Sequence, residues 1–245
     1  MSNYMTLALD STGSPSYNHP SKLFCVLGVV IENKYRIKLA NQISKIRKKY
    51  FNDSELVLHY VQIVRKIKEF SVLKDNKFDQ AFWVDILNLI NSEKIHLIFS
   101  VLDKSKAKSA GYQEKTIIRK SYRGIFQEFT RLLIEKNKNG QIITESDIFQ
   151  NEQIIAAHTD YQSGGIDKLI SSKDYCGLIT SLAFVGKKNL DPDVQLADLL
   201  GSGIVTYHRV ENLHQKLRMH PIEKNNVKLI KRKLTAGAGT IIRII

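Results

Sequence analysis

The sequence predicts a single α/β domain in which helices flank a mixed β-sheet. Short apolar and β-branched runs alternate with longer segments whose apolar residues recur at helical spacing. The chain has 245 residues, 43% of them hydrophobic, which is enough for one sizeable core. With only 4 Pro and 13 Gly, no low-complexity linker divides it. We therefore treat residues 1–245 as one domain.

The first part of the chain predicts a β-hairpin followed by helices. Strands are predicted at residues 6–10 and 23–31, and the turn-rich stretch between them favours antiparallel pairing. Apolar residues at helical spacing then predict three helices, at residues 37–50, 58–70 and 78–90.

The remainder of the chain alternates strands with helices. Three further strands are predicted, at residues 95–102, 141–144 and 179–185. A long helix over residues 114–136 ends before Gly140, as glycine is typical just past a helix. Another helix is predicted at residues 148–161. The pair Asp191 and Pro192 is typical of a helix start, with an N-cap carboxylate and a proline in the first turn.

The composition indicates a polyanionic partner. Lys and Arg number 37 against 24 Asp and Glu, a net charge of +13, and cationic surfaces attract phosphate backbones. We therefore expect binding to RNA or DNA. Cys25 and Cys176 lie in apolar runs, which favours buried free thiols in a reducing cytoplasm. No signal-peptide pattern or membrane-length apolar run is present, so we expect a soluble, cytoplasmic protein without membrane contact.

Acidic residues stand at three separate places along the chain. Asp10 follows the first strand, Glu145 and Asp147 follow the strand that ends at Thr144, and Asp198 lies in the last predicted helix. If the two strands are parallel neighbours, their carboxylates emerge at one sheet edge. Clustered carboxylates require a cation, and a carboxylate cage around Mg²⁺ or Mn²⁺ is usual for phosphodiester hydrolysis. The pattern predicts a metal-dependent nuclease with Asp10, Glu145 and Asp198 as ligands and Asp147 as a further catalytic candidate.

Each acid also has a structural interpretation. Asp10 opens an Asp-Ser-Thr-Gly stretch, which is good turn chemistry. Glu145 and Asp147 share a side only if the strand continues, whereas one of them caps a helix if the chain turns helical at Ser146. Asp198 lies on a helix that is apolar on most sides, so it requires either a metal or a Lys or Arg side chain.

Four other polar residues are candidates for contacts with a substrate phosphate. His59 lies among apolar residues ahead of a predicted helix, where it is either an ordinary core histidine or a group that orients a phosphate or carries a proton. Gln195 shares the polar stripe of Asp198 on the last helix. Lys187 and Lys188 lie beside the last strand and can steer a nucleic-acid backbone.

The order and spacing of these motifs resemble the proteins grouped as domain of unknown function 3800. The segments that carry the resemblance are LDSTG at 9–13, LGVVI at 27–31, ELVLH at 55–59, ITESD at 143–147 and VQLADL at 194–199. It covers residues 7–207. The resemblance implies a ribonuclease H-like fold with a mixed five-stranded sheet flanked by helices, and a helical insertion at residues 33–92 between strands two and three.

The resemblance also implies a divalent-metal nuclease associated with mobile elements or phage defence. It places site residues at Asp10, Glu145, Asp147 and Asp198, with His59 and Gln195 as further candidates. Two positions depart from the family pattern, Ser11 where Glu is usual and Thr144 where Asp is usual. Loss of these carboxylates keeps a second hypothesis open. In it the chain is a nucleic-acid- or protein-binding module without catalysis, for example a subunit of a defence assembly or a homo-oligomer.

Overall fold

One mixed sheet of six strands organises the described residues, which in this computed structural model are 3–92, 94–186, 188 and 191–244. The strands are β1 (Tyr4–Thr12), β2 (Leu23–Glu32), β3 (Ile95–Asp103), β4 (Asn139–Glu145), β5 (Ile179–Val185) and β6 (Gly239–Ile244). Their order across the sheet is β5-β4-β1-β2-β3-β6. The β1–β2 and β2–β3 pairs are antiparallel, and the β1–β4, β4–β5 and β3–β6 pairs are parallel.

Helices cover both faces of this sheet. They are α1 (Asn33–Phe51), α2 (Tyr60–Arg65), α3 (Asn76–Ile90), α4 (Lys104–Ser109), α5 (Glu114–Lys136), α6 (Asn151–Gly164), α7 (Ser172–Leu178), α8 (Pro192–Tyr207) and α9 (Pro221–Thr235). A 3₁₀-helix at Lys68–Lys74 and a π-helical turn at His208–Asn212 complete the set. The first three helices fall between β2 and β3, in the stretch where the helical insertion is expected. No helix among the described residues is long and apolar enough to cross a bilayer.

The central strand β2 shows how the sheet separates two cores. Its side chains alternate between the faces, as the period of two in a strand requires. Leu27 and Val29 pack with α1, α3, α8 and α9, whereas Val26 and Val30 pack with α5, α6 and α7. Both sets are buried, which explains why β2 reads as a continuous apolar run.

The strand count differs from the five that the sequence predicts. All five predicted strands are present, and β6 is the sixth, pairing in parallel with β3 so that Ile241 lies opposite Phe99. A short apolar run near the chain end carries little periodic signal of its own. The free edge of β3 gives it a partner, which only the tertiary structure supplies.

Two other local expectations are corrected. The helix predicted over residues 58–70 is split into α2 and the 3₁₀-helix, because Lys66 and Lys68 adopt left-handed backbone angles with φ of 51° and 54°. The two cysteines are free, but only Cys25 is buried, and Cys176 on α7 is exposed. An apolar neighbourhood in sequence therefore did not place Cys176 in the core.

Candidate active site

Strand register brings the first two acids together. β1 and β4 run in parallel, and Leu9 pairs with Thr144, so Asp10 and Glu145 are the next residue along each strand. Leu9 packs on the α5 side of the sheet. Because side chains alternate, Asp10 and Glu145 project towards the opposite side, which α8 covers.

Helix α8 supplies the third acid. It begins as the sequence predicts, because the Asp191 carboxylate accepts hydrogen bonds from the amides of Asp193 at 3.0 Å and Val194 at 3.2 Å. Further along, α8 crosses β1 at close range. A Cβ atom added at Gly201 would lie 3.2 Å from Cβ of Thr12. This close approach sets Asp198, one helical turn earlier, beside the end of β1.

The segment before α2 closes the site from the other side. Asp198 Oδ2 accepts a hydrogen bond from the amide of Tyr60 at 2.8 Å and lies 3.3 Å from Nδ1 of His59. The side chain of His59 is 44% exposed, so it is not an enclosed core histidine. In the described part of the chain, the ion-pair partner of Asp198 is thus the imidazole of His59 in its protonated form, and not the Lys or Arg that is the expected alternative to a metal.

Gln195 holds this segment in place. Its Oε1 accepts hydrogen bonds from the amide of Leu58 at 2.9 Å and from Nη2 of Arg47 at 2.6 Å. Both Gln195 and Arg47 are buried, and this burial lowers the pKa of the Arg47 guanidinium. The structure thus assigns Gln195 a positioning role one residue before His59, and its expected contact with a phosphate stays a prediction.

The two acids after β4 have different roles. Asp147 forms the turn into α6, because Oδ1 accepts from the amide of Phe149 at 2.9 Å and Oδ2 accepts from Nε2 of Gln150 at 3.0 Å. The same Gln150 nitrogen donates to Oγ of Ser11 at 3.1 Å, which ties the end of β4 to the end of β1. Asp147 therefore shapes the turn before α6 but does not cap the helix, whose N-cap is Gln150, and it also lines the cleft. Glu145 is the acid whose charge acts on Asp10.

The carboxylates of the site repel one another and attract the imidazole of His59. Burial raises the pKa of Asp10 well above its usual range, and the nearby charges of Asp198 and Glu145 raise it further. The hydrogen bond with Asp198 raises the pKa of His59, with the Coulombic attraction of Asp198, Glu145 and Asp10 in the same direction. Within the described residues, the imidazole of His59 is thus attracted by all three carboxylates, and a bound cation would further offset their mutual repulsion.

These residues line a cleft of about 230 Å³. Its walls include Asp10, Ser11, His59, Tyr60, Val61, Tyr122, Glu145, Asp147, Gln150 and Asp198. A larger cavity of about 500 Å³ shares Thr12 and Gly13 with the cleft, and Lys22 and Arg209 are among the residues that line it. The two adjoin at Thr12 and Gly13, and the larger one forms a groove whose charged lining residues are Lys22, Arg209 and Asp103.

Ser11 and Thr144, the two departures from the family pattern, lie around a buried tyrosine. They alternate with Asp10 and Glu145 along the strands, and both lie close enough to Tyr122 on α5 to lower the pKa of its hydroxyl, against the larger effect of burial. Burial raises the pKa of Tyr122, so this hydroxyl stays protonated at neutral pH. The Tyr122 contact is invisible to sequence reasoning, because helical spacing marks Tyr122 only as a core residue.

The lysines after β5 are described in part. Lys188 is exposed in the turn that follows the strand, and Lys187 lies outside the described residues. In the described part of the chain, no group of three or more His, Cys, Asp or Glu side chains is already arranged to hold a metal ion. The composition of the cleft nevertheless suits a hard divalent cation, because its acids offer carboxylate oxygens, the donors that Mg²⁺ and Mn²⁺ prefer.

Comparison of the chain with protein-family models, with curated proteins and with solved structures finds no match.

Proposed function

We propose that the chain is a divalent-metal-dependent nuclease on a ribonuclease H-like fold. The observation that carries the proposal is the meeting of Asp10, Glu145 and Asp198 from β1, β4 and α8, with one histidine, on a protein of net charge +13. The strand order β5-β4-β1-β2-β3 and the helices between β2 and β3 support the fold assignment. Acids at the ends of adjacent parallel strands are where α/β sheets bind ligands.

In this proposal Asp10, Glu145 and Asp198 hold Mg²⁺ or Mn²⁺. Among the described residues Oδ1 of Asp198 accepts no hydrogen bond, so it is available as a ligand while Oδ2 stays on Tyr60 and His59. When bound, the ion would supply Lewis-acid polarisation of the phosphate and lower the pKa of a coordinated water. A bound cation would also offset the mutual repulsion of the three carboxylates.

His59 is the proton donor in this proposal. Its pKa is raised by the hydrogen bond with Asp198, so a larger share of the imidazole is protonated near neutral pH. With Nδ1 held on Asp198, Nε2 is the nitrogen left to donate to a phosphate oxygen or to the leaving oxygen. Gln195 and Arg47 fix the segment that carries this ring.

The test measures cleavage of labelled RNA and DNA with Mg²⁺ or Mn²⁺, in the wild type, Asp198→Asn and Asp85→Asn. Asp85 lies on α3 and pairs with Lys49 at 2.8 Å, so it is a matched carboxylate outside the cleft. We expect cleavage by the wild type and Asp85→Asn, its loss with a chelator, and a reduction of about a hundredfold or more in Asp198→Asn. Equal cleavage by wild type and Asp198→Asn, or none with any substrate, contradicts catalysis.

A second candidate function is a binding module without catalysis. It is favoured by Ser11 and Thr144, which face Tyr122 in place of carboxylates, and by the lack of a preformed ligand group among the described side chains. Calorimetry with Mn²⁺ separates the two hypotheses. Metal binding that Asp10→Asn abolishes supports the nuclease, whereas nucleic-acid binding that is indifferent to metal supports the module.

A further inference from the structure

Two apolar side chains beside the acidic cleft have no explanation in the fold. Ile148 and Phe149 are each 85% exposed, more than any other large hydrophobic residue in the described part of the chain. They follow directly after Asp147, which lines the cleft. Isolated apolar side chains are common on surfaces, but an almost fully solvated phenyl ring two residues after an acid of the cleft offers a face on which a flat ligand can stack.

The turn that carries this pair is held rigidly. The amide of Phe149 donates to Asp147 Oδ1 at 2.9 Å, and the amide of Asp147 donates to Oδ1 of Asn151 at 3.0 Å. Nδ2 of Asn151 donates to Oγ of Ser146 at 3.0 Å. Gln150 links the turn to Ser11 at the end of β1. The backbone of Phe149 is therefore fixed relative to the acids, so its ring is presented to solvent at little further cost in conformational entropy.

The segment of α2 beside the cleft also exposes apolar side chains. Val61 lines the cleft and is 45% exposed, and Val64 one turn further along α2 is 50% exposed. A ligand that matches these features carries anionic groups for the cationic protein and flat apolar faces for the exposed apolar side chains. A single-stranded nucleic acid has both, because its phosphates are charged and its bases are unstacked. A duplex hides its base faces except at its ends.

We propose that Phe149 is a stacking platform for a base of single-stranded RNA or DNA, next to the phosphate that enters the acidic cleft. This inference rests on the proposed function for its substrate class, and it adds strand preference and a specificity residue. Stacking on an aromatic ring is tolerant of base identity, so Phe149 selects single strands over duplexes and not one sequence over another.

The experiment measures binding in a chelator, so that neither metal nor cleavage is needed. A fluorescent single strand of about 20 nucleotides and its duplex are titrated with wild type, Phe149→Ala, Phe149→Trp and Ile134→Ala. Ile134 is the control, because it is an apolar side chain, 44% exposed, that lies away from the cleft. It lies near the end of α5, close to the start of β4, whereas Glu145 is at the other end of that strand. We expect Phe149→Ala to weaken single-strand binding about fivefold to a hundredfold, Phe149→Trp to retain it, and Ile134→Ala to change nothing.

The tryptophan variant gives a second readout. The chain has one tryptophan, Trp83, which is buried, so a tryptophan at position 149 reports separately. We expect the single strand to quench fluorescence in Phe149→Trp and not in the wild type. Single-strand binding that is unchanged in Phe149→Ala, without quenching in Phe149→Trp, overturns the platform and assigns Phe149 to a protein contact. Weaker binding by Phe149→Ala without cleavage under any metal keeps the platform and refutes the nuclease. Metal-dependent cleavage, together with single-strand binding that is unchanged in Phe149→Ala, keeps the nuclease and refutes the platform.

Discussion

At the scale of single residues, Asp10 shows how crowded carboxylates affect the stability of the protein. It projects from a strand end towards Asp198 and shares that space with Glu145, and its pKa is raised first by burial and then by these two charges. An acid whose pKa is higher in the native than in the unfolded protein binds a proton more tightly when folded. Tighter proton binding contributes to the free energy of unfolding. This contribution is fully present at pH values below the pKa of the unfolded protein, and it is lost as the pH rises through the higher pKa of the native protein. At pH 7, Asp10 therefore costs stability.

We predict that Asp10→Asn raises the thermal stability of the metal-free protein at pH 7, by about 1–2 kcal/mol, because it removes a repelled carboxylate. The gain should disappear below about pH 4, where Asp10 is protonated in both states. Thermal unfolding followed by circular dichroism at both pH values measures it. Added Mn²⁺ should stabilise the wild type and leave Asp10→Asn unchanged.

Asp85 is a control for this prediction, because its pKa is shifted in the opposite direction to that of Asp10. Burial raises the pKa of its carboxyl, but hydrogen bonds from Lys49 and Tyr50 outweigh that effect, and the pKa is lowered. A lowered pKa contributes stability above the ordinary carboxyl range and loses it in acid. Asp85→Asn should thus reduce stability at pH 7. If Asp10→Asn also reduces it, the site is not electrostatically strained.

At the scale of elements, the site depends on how the segment before α2 is anchored to α8. Gln195 accepts hydrogen bonds from Leu58 and from Arg47, and Asp198 accepts one from Tyr60. These contacts join an irregular segment to a buried helix. The position of His59 therefore depends on a glutamine that binds the neighbouring residue, Leu58, and the guanidinium of Arg47.

We predict that Gln195→Leu destabilises the protein by about 1–3 kcal/mol, because the buried Leu58 amide and the Arg47 guanidinium lose their acceptor. It should also lower the pKa of His59 towards its usual value, because the ring is no longer held on Asp198. Thermal unfolding and an NMR titration of the His59 ring protons measure the two effects. Gln195→Glu keeps the acceptor oxygens and should retain the raised pKa. A His59 pKa that is unchanged in Gln195→Leu would show that the segment is held by other contacts.

At the scale of the whole molecule, the positive charge must be reconciled with an acidic site. The chain has a net charge of +13, while four of its acids line one cleft, which adjoins the cavity lined by Lys22 and Arg209. Such an arrangement draws a polyanion to the surface as a whole. It leaves the local negative cluster to be neutralised by a cation.

We predict that nucleic-acid binding weakens steeply with salt and that Lys22 and Arg209 each contribute one phosphate contact. On a single strand, Lys22→Gln or Arg209→Gln should reduce the slope of log affinity against log salt by about 0.7. Lys136→Gln is the control, because Lys136 ends α5 near the opposite sheet edge and pairs with Glu135. Affinities measured by anisotropy over a range of salt concentrations decide it. Equal slopes in all three variants would exclude the groove as the binding path.

Elements that depend on local signals could be predicted from the sequence, and elements that depend on distant contacts could not. Short apolar and β-branched runs and the Asp191–Pro192 start signal are local, so the five strands and the beginning of α8 were predictable. The split after α2 was not, because two lysines with left-handed backbone angles carry no mark in sequence. β6 was missed because its pairing partner, β3, is more than a hundred residues away.

By itself, the sequence determined the alternation of strands and helices, the positive charge and the three acidic places, because each depends on composition or on neighbours within a few residues. The tertiary structure decided which acids meet. The parallel register of β1 with β4 selected Glu145 over Asp147, and close packing at Gly201 brought Asp198 to Asp10. It also left Phe149 in solvent beside the cleft. Such choices depend on contacts between distant segments, and no local pattern encodes them.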